Sequence, residues 1–103
     1  MLIAHNVTVL DSLTHPLGAR ARHAHFEHII TRGHPAQVDL DERPVELGDD
    51  VWIGCMSVVL RGVSLGQGVI VGAGSVVTES IPPWTIVAGN PARVIRELSA
   101  DER

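Results

Sequence analysis

A chain of 103 residues makes one small domain, and a thin fold of that size leaves much of its surface wet unless a partner covers it. Hydrophobic residues reach 45% while aromatics are 3%, so packing has to come from many similar layers of Val, Ile, Leu, Ala and Gly. The net charge of −4, with Arg as the only strongly basic residue type, excludes a clustered phosphate-tracking surface and with it nucleic acid as a partner.

The chain opens on two six-residue units, Ile3–Thr8 and Val9–Thr14, with no charged-then-apolar leader before them. A repeat that starts without a polar cap reads as the C-terminal part of a longer protein, or as a short member lacking its first coils. The period lapses between Thr14 and Val45. This excursion carries His15, His23, His25, His28 and His34 together with Arg20, Arg22, Arg32 and Arg43. Its stretch 20–31 can form a short helix, which Gly33-His34-Pro35 then breaks. An excursion this long in a compact repeat protein is expected to be a functional loop, placed at 16–44.

From Leu47 an aliphatic residue recurs every six positions: Leu47, Ile53, Val59, Leu65, Val71 and Val77. A second series of small or β-branched residues follows four positions after each: Val51, Ser57, Val63, Val69, Ser75 and Ile81. The segments 47–64 and 65–82 also match each other, at Leu47/Leu65, Gly48/Gly66, Val51/Val69, Gly54/Gly72, Ser57/Ser75, Val58/Val76 and Val59/Val77. Three hexapeptides thus make one 18-residue turn, each supplying a short strand and a corner. A six-residue period does not keep one helical face, and a β-meander would alternate with period two, so neither competes. The expectation is an all-β chain forming a left-handed parallel β-helix. It is read as a single domain over 1–103, with a coil at 1–15, the inserted loop at 16–44 and coils at 45–82. After Pro82-Pro83 an extended run at 84–88, a turn at Gly89-Asn90-Pro91 and a short C-terminal helix over 92–98 complete it. No apolar run approaches the roughly 18 residues of a membrane span, and the lone Cys55 allows no internal disulfide, so the expected setting is the cytoplasm.

The run from Val51 to Leu98 closely resembles the C-terminal half of hexapeptide acetyltransferases of the galactoside, maltose and xenobiotic type. The strongest pieces are Trp52-Ile53-Gly54, Gly72–Val77 and Ala88–Ile95. The resemblance implies transfer of an acetyl group from acetyl-coenzyme A to a hydroxyl of a sugar or similar small acceptor, in a homotrimer, with no metal. It implies His15 as general base, since Leu13-Thr14-His15-Pro16 stands where similar enzymes keep a His at the end of a coil. A neutral imidazole can take the proton of a hydroxyl that is otherwise a poor nucleophile. It implies the backbone N–H of Cys55 as the donor to the developing oxyanion, the thiol itself being a small corner residue. Trp52, Gly54, Gly72, Ala73 and Gly74 are expected along the pantetheine arm, with Thr78, Arg93 and Arg96 near the nucleotide.

Two other functions compete. A zinc enzyme similar to γ-class carbonic anhydrases would need three convergent His ligands, and none lies in 45–103. A non-catalytic trimerising β-helix module would keep the coils without the chemistry. The four loop histidines lack a compact ligand spacing and read as solvated or acceptor-contacting, with Asp11 or Glu27 as candidates to orient an imidazole.

Overall fold

The computed structural model describes residues 1–103. Ten short strands wind around a triangular core. The first sheet stacks β1 (Leu2–Ile3), β4 (Trp52–Ile53), β7 (Ile70–Val71), β9 (Thr85–Gly89) and β10 (Ala92–Glu97). The second stacks β2 (Thr8–Val9), β5 (Val58–Val59) and β8 (Val76–Val77), and the third pairs β3 (Glu46–Leu47) with β6 (Ser64–Leu65). All pairings within the coils are parallel. Trp52 lies beside Ile70, Val58 beside Val76 and Glu46 beside Ser64, which is the 18-residue turn expected from the repeat.

Both six-residue series point inward. Ile53, Val59, Val71 and Val77 of the first, and Val51, Val63 and Val69 of the second, are all at most 1% exposed. Fully burying such a side chain stabilises the fold by roughly 1.5–3 kcal/mol, so the stack is held by many equal layers rather than by a few large anchors. Two members of the second series are serines. Ser57 and Ser75 are fully buried, and both hydroxyls donate to the Gly72 carbonyl, at 3.1 and 2.6 Å. The Ser75 oxygen also accepts the Gly89 N–H at 3.1 Å, so these polar atoms are satisfied where water cannot reach.

The repeat slips once. Ile81 does not continue the Val63 series: it forms a bridge with Leu65, and Ile86 then stands beside Ile70. The last turn is therefore two residues short of 18. Pro82-Pro83 follows the slip directly, and Ile81 takes the inward place of Leu65 and Leu47 instead.

The excursion is inserted between the second and third sheets of the first coil. It leaves at Asp11 and returns at Arg43, closed by Arg43 N–H to Asp11 O (2.8 Å) and Leu13 N–H to Leu40 O (2.9 Å). It is more than a loop, because it carries α1 (Ala19–Arg32), which ends at Gly33 with φ 81° and the Gly33 N–H on Ile29 O. This helix has no side-chain cap and no acid in its first turn, where Arg20 and Arg22 oppose the dipole. At 14 residues it is marginal on its own, and His25 is its one buried residue.

The expected C-terminal helix is not formed. Residues 92–97 are β10, antiparallel to β9, with Val94 beside Val87 and Arg93 beside Ala88. The turn at Gly89-Asn90-Pro91, with Gly89 at φ 103°, sends the chain straight back along β9. A strand there satisfies the open edge of β9 and suits the β-branched pair Val94-Ile95, whereas a helix would leave that edge unpaired. A 3-10 turn at Ala100–Glu102 ends the chain, with Leu98 buried and its N–H on Trp84 O.

Candidate active site

Between the first and second sheets the coils turn through one stacked corner: His5-Asn6, Cys55-Met56 and Ala73-Gly74. Met56 N–H donates to His5 O at 3.0 Å and Gly74 N–H to Cys55 O at 2.8 Å. The second residue of each corner has positive φ: 56° at Asn6, 60° at Met56 and 71° at Gly74. Gly54 precedes this corner because nothing larger fits: a Cβ there would lie 2.6 Å from Ala73 N. The N–H groups of Gly54 and Gly72 are used inside the stack, on Val71 O and Val87 O, and the Gly72 carbonyl is held by the two serines. Of the backbone expected to meet a pantetheine arm, the N–H of Cys55 and the N–H and carbonyl of Ala73 stay unbonded within the chain, along with the carbonyls of Gly54 and Gly74; the first three bear on the chemistry below. All three belong to exposed residues.

His15 lies at another corner. It follows Thr14, which has φ 71°, and its ring stands against that of His25 with centroids 5.1 Å apart and planes tilted by 60°. The two Nδ1 atoms are 3.1 Å apart. One must donate and the other accept, and this leaves the Nε2 of the exposed His15 as its free nitrogen. His15, Ala19, Arg22, His23 and Phe26 line an open cleft beside it. His25 titrates below the ordinary histidine range because burial disfavours its charge; His15, His34 and His28 then add repulsion. Glu27 does not orient His15, since its carboxylate pairs with His23 at 3.0 Å. His28 Nδ1–H donates to Gly33 O at 2.8 Å and so helps close the helix. Asp11 meets the excursion through its carbonyl, not its carboxylate.

His15 and the Cys55 N–H stand at opposite ends of the second sheet's strands, so one chain does not bring them together. The remaining expected residues are spread further. Thr78 ends the second sheet on the side away from Ala73. Trp52 is half-exposed on the outer face of the first sheet, in register with Leu2 and Ile70. Arg93 and Arg96 lie on β10, a strand and not the helix expected for them. Arg96 is engaged by Glu102 through two contacts of 2.6 and 2.8 Å, which holds the Glu102 carboxyl far below the usual carboxylate range. Arg93 makes no ion pair and is the freer cation. His5 and His15 occupy different corners, and no three His, Cys, Asp or Glu side chains form a set able to hold a metal ion. His25 was the residue sequence reasoning did not single out, because nothing in the spacing of the four loop histidines marks which one turns inward.

Stacked hexapeptide coils with a glycine-lined corner define the class: a parallel β-helix. Residues 44–79 match the family described as bacterial transferase hexapeptide (six repeats). Galactoside O-acetyltransferase of Escherichia coli (strain K12) is 37% identical over 100 residues, covering 91% of this chain and 49% of that protein. Galactoside acetyltransferase in complex with coenzyme A superposes with a TM-score of 0.74 at 36% identity, covering 98% of this chain and 44% of that one. A hexapeptide-repeat acetyltransferase of Vibrio cholerae O1 biovar eltor, complexed with acetyl coenzyme A, gives 0.69 at 33% identity over 90% of this chain and 43% of that one. Across most of its length the chain is similar to hexapeptide-repeat acetyltransferases, and this likeness implies the left-handed sense of its coils. It spans about half the length of the relatives it matches. No helix is long and apolar enough to cross a membrane.

Proposed function

We propose that this chain takes part in acetyl transfer from acetyl-coenzyme A to a hydroxyl, most simply that of a sugar, in a cytoplasmic homotrimer. The observation that carries the reading is the superposition of 98% of the chain on an acetyltransferase bound to coenzyme A, at 36% identity. The unbonded N–H of Cys55 and the free Nε2 of His15 are the two groups such chemistry needs.

The acceptor O–H gives its proton to His15 Nε2 while its oxygen attacks the thioester carbonyl carbon. The Cys55 N–H donates to the oxyanion that forms, and Ala73 N–H and C=O bond the pantetheine amides. Collapse re-forms the carbonyl and breaks the C–S bond. His15 returns the proton to the departing sulfur, leaving an acetyl ester and free coenzyme A. Arg93, which makes no ion pair, is the cation this reading assigns to the phosphate oxygens; Arg96 takes that role only by giving up Glu102.

Because His15 and Cys55 stand at different corners, the site closes between chains, each supplying one of the two. The outer face of the first sheet favours such packing: Leu2, Trp52 and Ile70 stand in register there, and Leu2 is 66% exposed. Thiol release from acetyl-coenzyme A against a panel of sugars and nucleotide sugars tests the reading. Activity should appear with an alcohol acceptor and fall roughly 10²–10⁴-fold in His15→Ala. Unchanged turnover in that variant, or a monomer by light scattering at micromolar concentration, would refute it.

A further inference from the structure

The strongest feature outside the expected site residues is the burial of His25 against His15. We infer that His25 is a positioning residue: its Nδ1 accepts the His15 Nδ1–H and so keeps the His15 Nε2 lone pair turned toward the acceptor. This rests on His15 being the base proposed above. The geometry has three parts. The Nδ1 atoms are 3.1 Å apart, the rings are tilted by 60°, and His25 is the one residue of α1 that is buried.

The direction of the hydrogen bond follows from the charge His15 must take up. Once His15 has received the acceptor's proton, both of its nitrogens carry hydrogen, and Nδ1 can only donate. A partner with its own hydrogen on Nδ1 would then face N–H to N–H. A neutral His25 bearing its hydrogen on Nε2 presents a lone pair at the required place. Neutrality of His25 is favoured by its surroundings: His15 faces it from the start of the excursion, His28 from α1 itself and His34 from just beyond the helix. Arg22 and His23 line the cleft on the His15 side and oppose a second positive charge there. No carboxylate is hydrogen-bonded to either ring. In this chain a buried neutral imidazole thus takes the place that a carboxylate or backbone carbonyl often takes behind a catalytic histidine.

The inference also gives α1 a purpose. A weakly capped helix with one buried side chain contributes little packing, yet it delivers a hydrogen-bond acceptor to the back of His15.

Nitrogen-15 NMR of the imidazoles in the full chain tests the pair without any need for turnover. His15 should carry its hydrogen on Nδ1, and His25 on Nε2. His15 found protonated at Nε2 in the neutral state would overturn the inference. The kinetic arm compares His25→Ala with His25→Asn, whose side-chain oxygen can accept near the Nδ1 position. His25→Ala should lower kcat by about 10- to 100-fold with the KM for acetyl-coenzyme A unchanged. It should also move the acid limb of kcat/KM to lower pH, because the His15 imidazolium loses its acceptor. His25→Asn should recover most of kcat. Equal damage from both variants, or no shift of the acid limb in His25→Ala, would overturn positioning in favour of a packing role. Complete absence of acetyl transfer would instead count against the proposed function, and the NMR result would still decide the pair.

Discussion

Replacing Ser75 by Ala removes the oxygen that joins three parts of the fold. The Ser75 hydroxyl donates to Gly72 O at 2.6 Å and accepts the Gly89 N–H at 3.1 Å. After the change the Gly72 carbonyl keeps the Ser57 hydroxyl at 3.1 Å, so it stays satisfied. The Gly89 N–H has no other partner. The Gly89 N–H sits on an exposed residue in a part-buried bond, so its loss falls toward the low end of the roughly 1–3 kcal/mol of a stranded donor; the lost donation to Gly72 adds to it, and about 2 kcal/mol is expected in all. For a domain of this size that corresponds to a fall in Tm of roughly 8–16 °C. Ser57→Ala is the internal control. Its hydroxyl donates to a carbonyl that Ser75 already serves, and the buried Ser75 N–H that it leaves unpaired is held only at a long 3.4 Å, so about 1 kcal/mol is expected. Thermal and urea unfolding at one fixed protein concentration would measure both. If Ser75→Ala cost no more than Ser57→Ala, the reasoning that assigns the difference to the stranded Gly89 N–H would fail.

Gly54→Ala should be at least as damaging. Its Cβ would lie 2.6 Å from Ala73 N, and parting the coils would lengthen the 2.8 Å bond from Gly54 N–H to Val71 O; circular dichroism and unfolding midpoints should show a loss of roughly 1–3 kcal/mol or failure to fold. Lowering the pH should loosen α1. The folded-state pKa of His25 is depressed, so the unfolded helix binds the proton more readily, and the stability present above the ordinary histidine range is lost as pH falls through it. Hydrogen exchange in α1, corrected for intrinsic rates, should therefore speed up between about pH 7.5 and 5.5 relative to the coils. At the exposed Arg96–Glu102 pair the carboxyl pKa is lowered, so its contribution is present above the unfolded carboxylate range and fades on acidification below it. Arg96→Ala should accordingly differ little from the parent in stability at neutral pH, less still in high salt, and a large salt-independent loss would contradict this.

Much of the fold was legible because its cause is local and periodic. A six-residue recurrence of aliphatic residues admits one arrangement in which each points inward, and Leu47, Ile53, Val59, Leu65, Val71 and Val77 take it. Gly54 was legible only as a corner glycine beside the pantetheine arm; that the next coil comes too close there for a side chain is seen in the fold. The C-terminal strand was not legible, because 92–97 has the composition of a short helix and becomes β10 only when the open edge of β9 is there to pair with it. The slip at Ile81 was hidden for a related reason: a two-residue deletion beside two prolines still leaves an aliphatic residue where the 18-residue period wanted one. At the site, the resemblance pointed to His15 and to the backbone of Cys55, since each stands where similar enzymes keep such a group. Only the tertiary structure decided that these stand at different corners, that Ala73 rather than Gly72 keeps its backbone free, and that His25 turns in to meet His15. Each depends on which groups meet across coils or along a capless helix, and contacts between chain segments far apart in sequence leave no periodic trace to read.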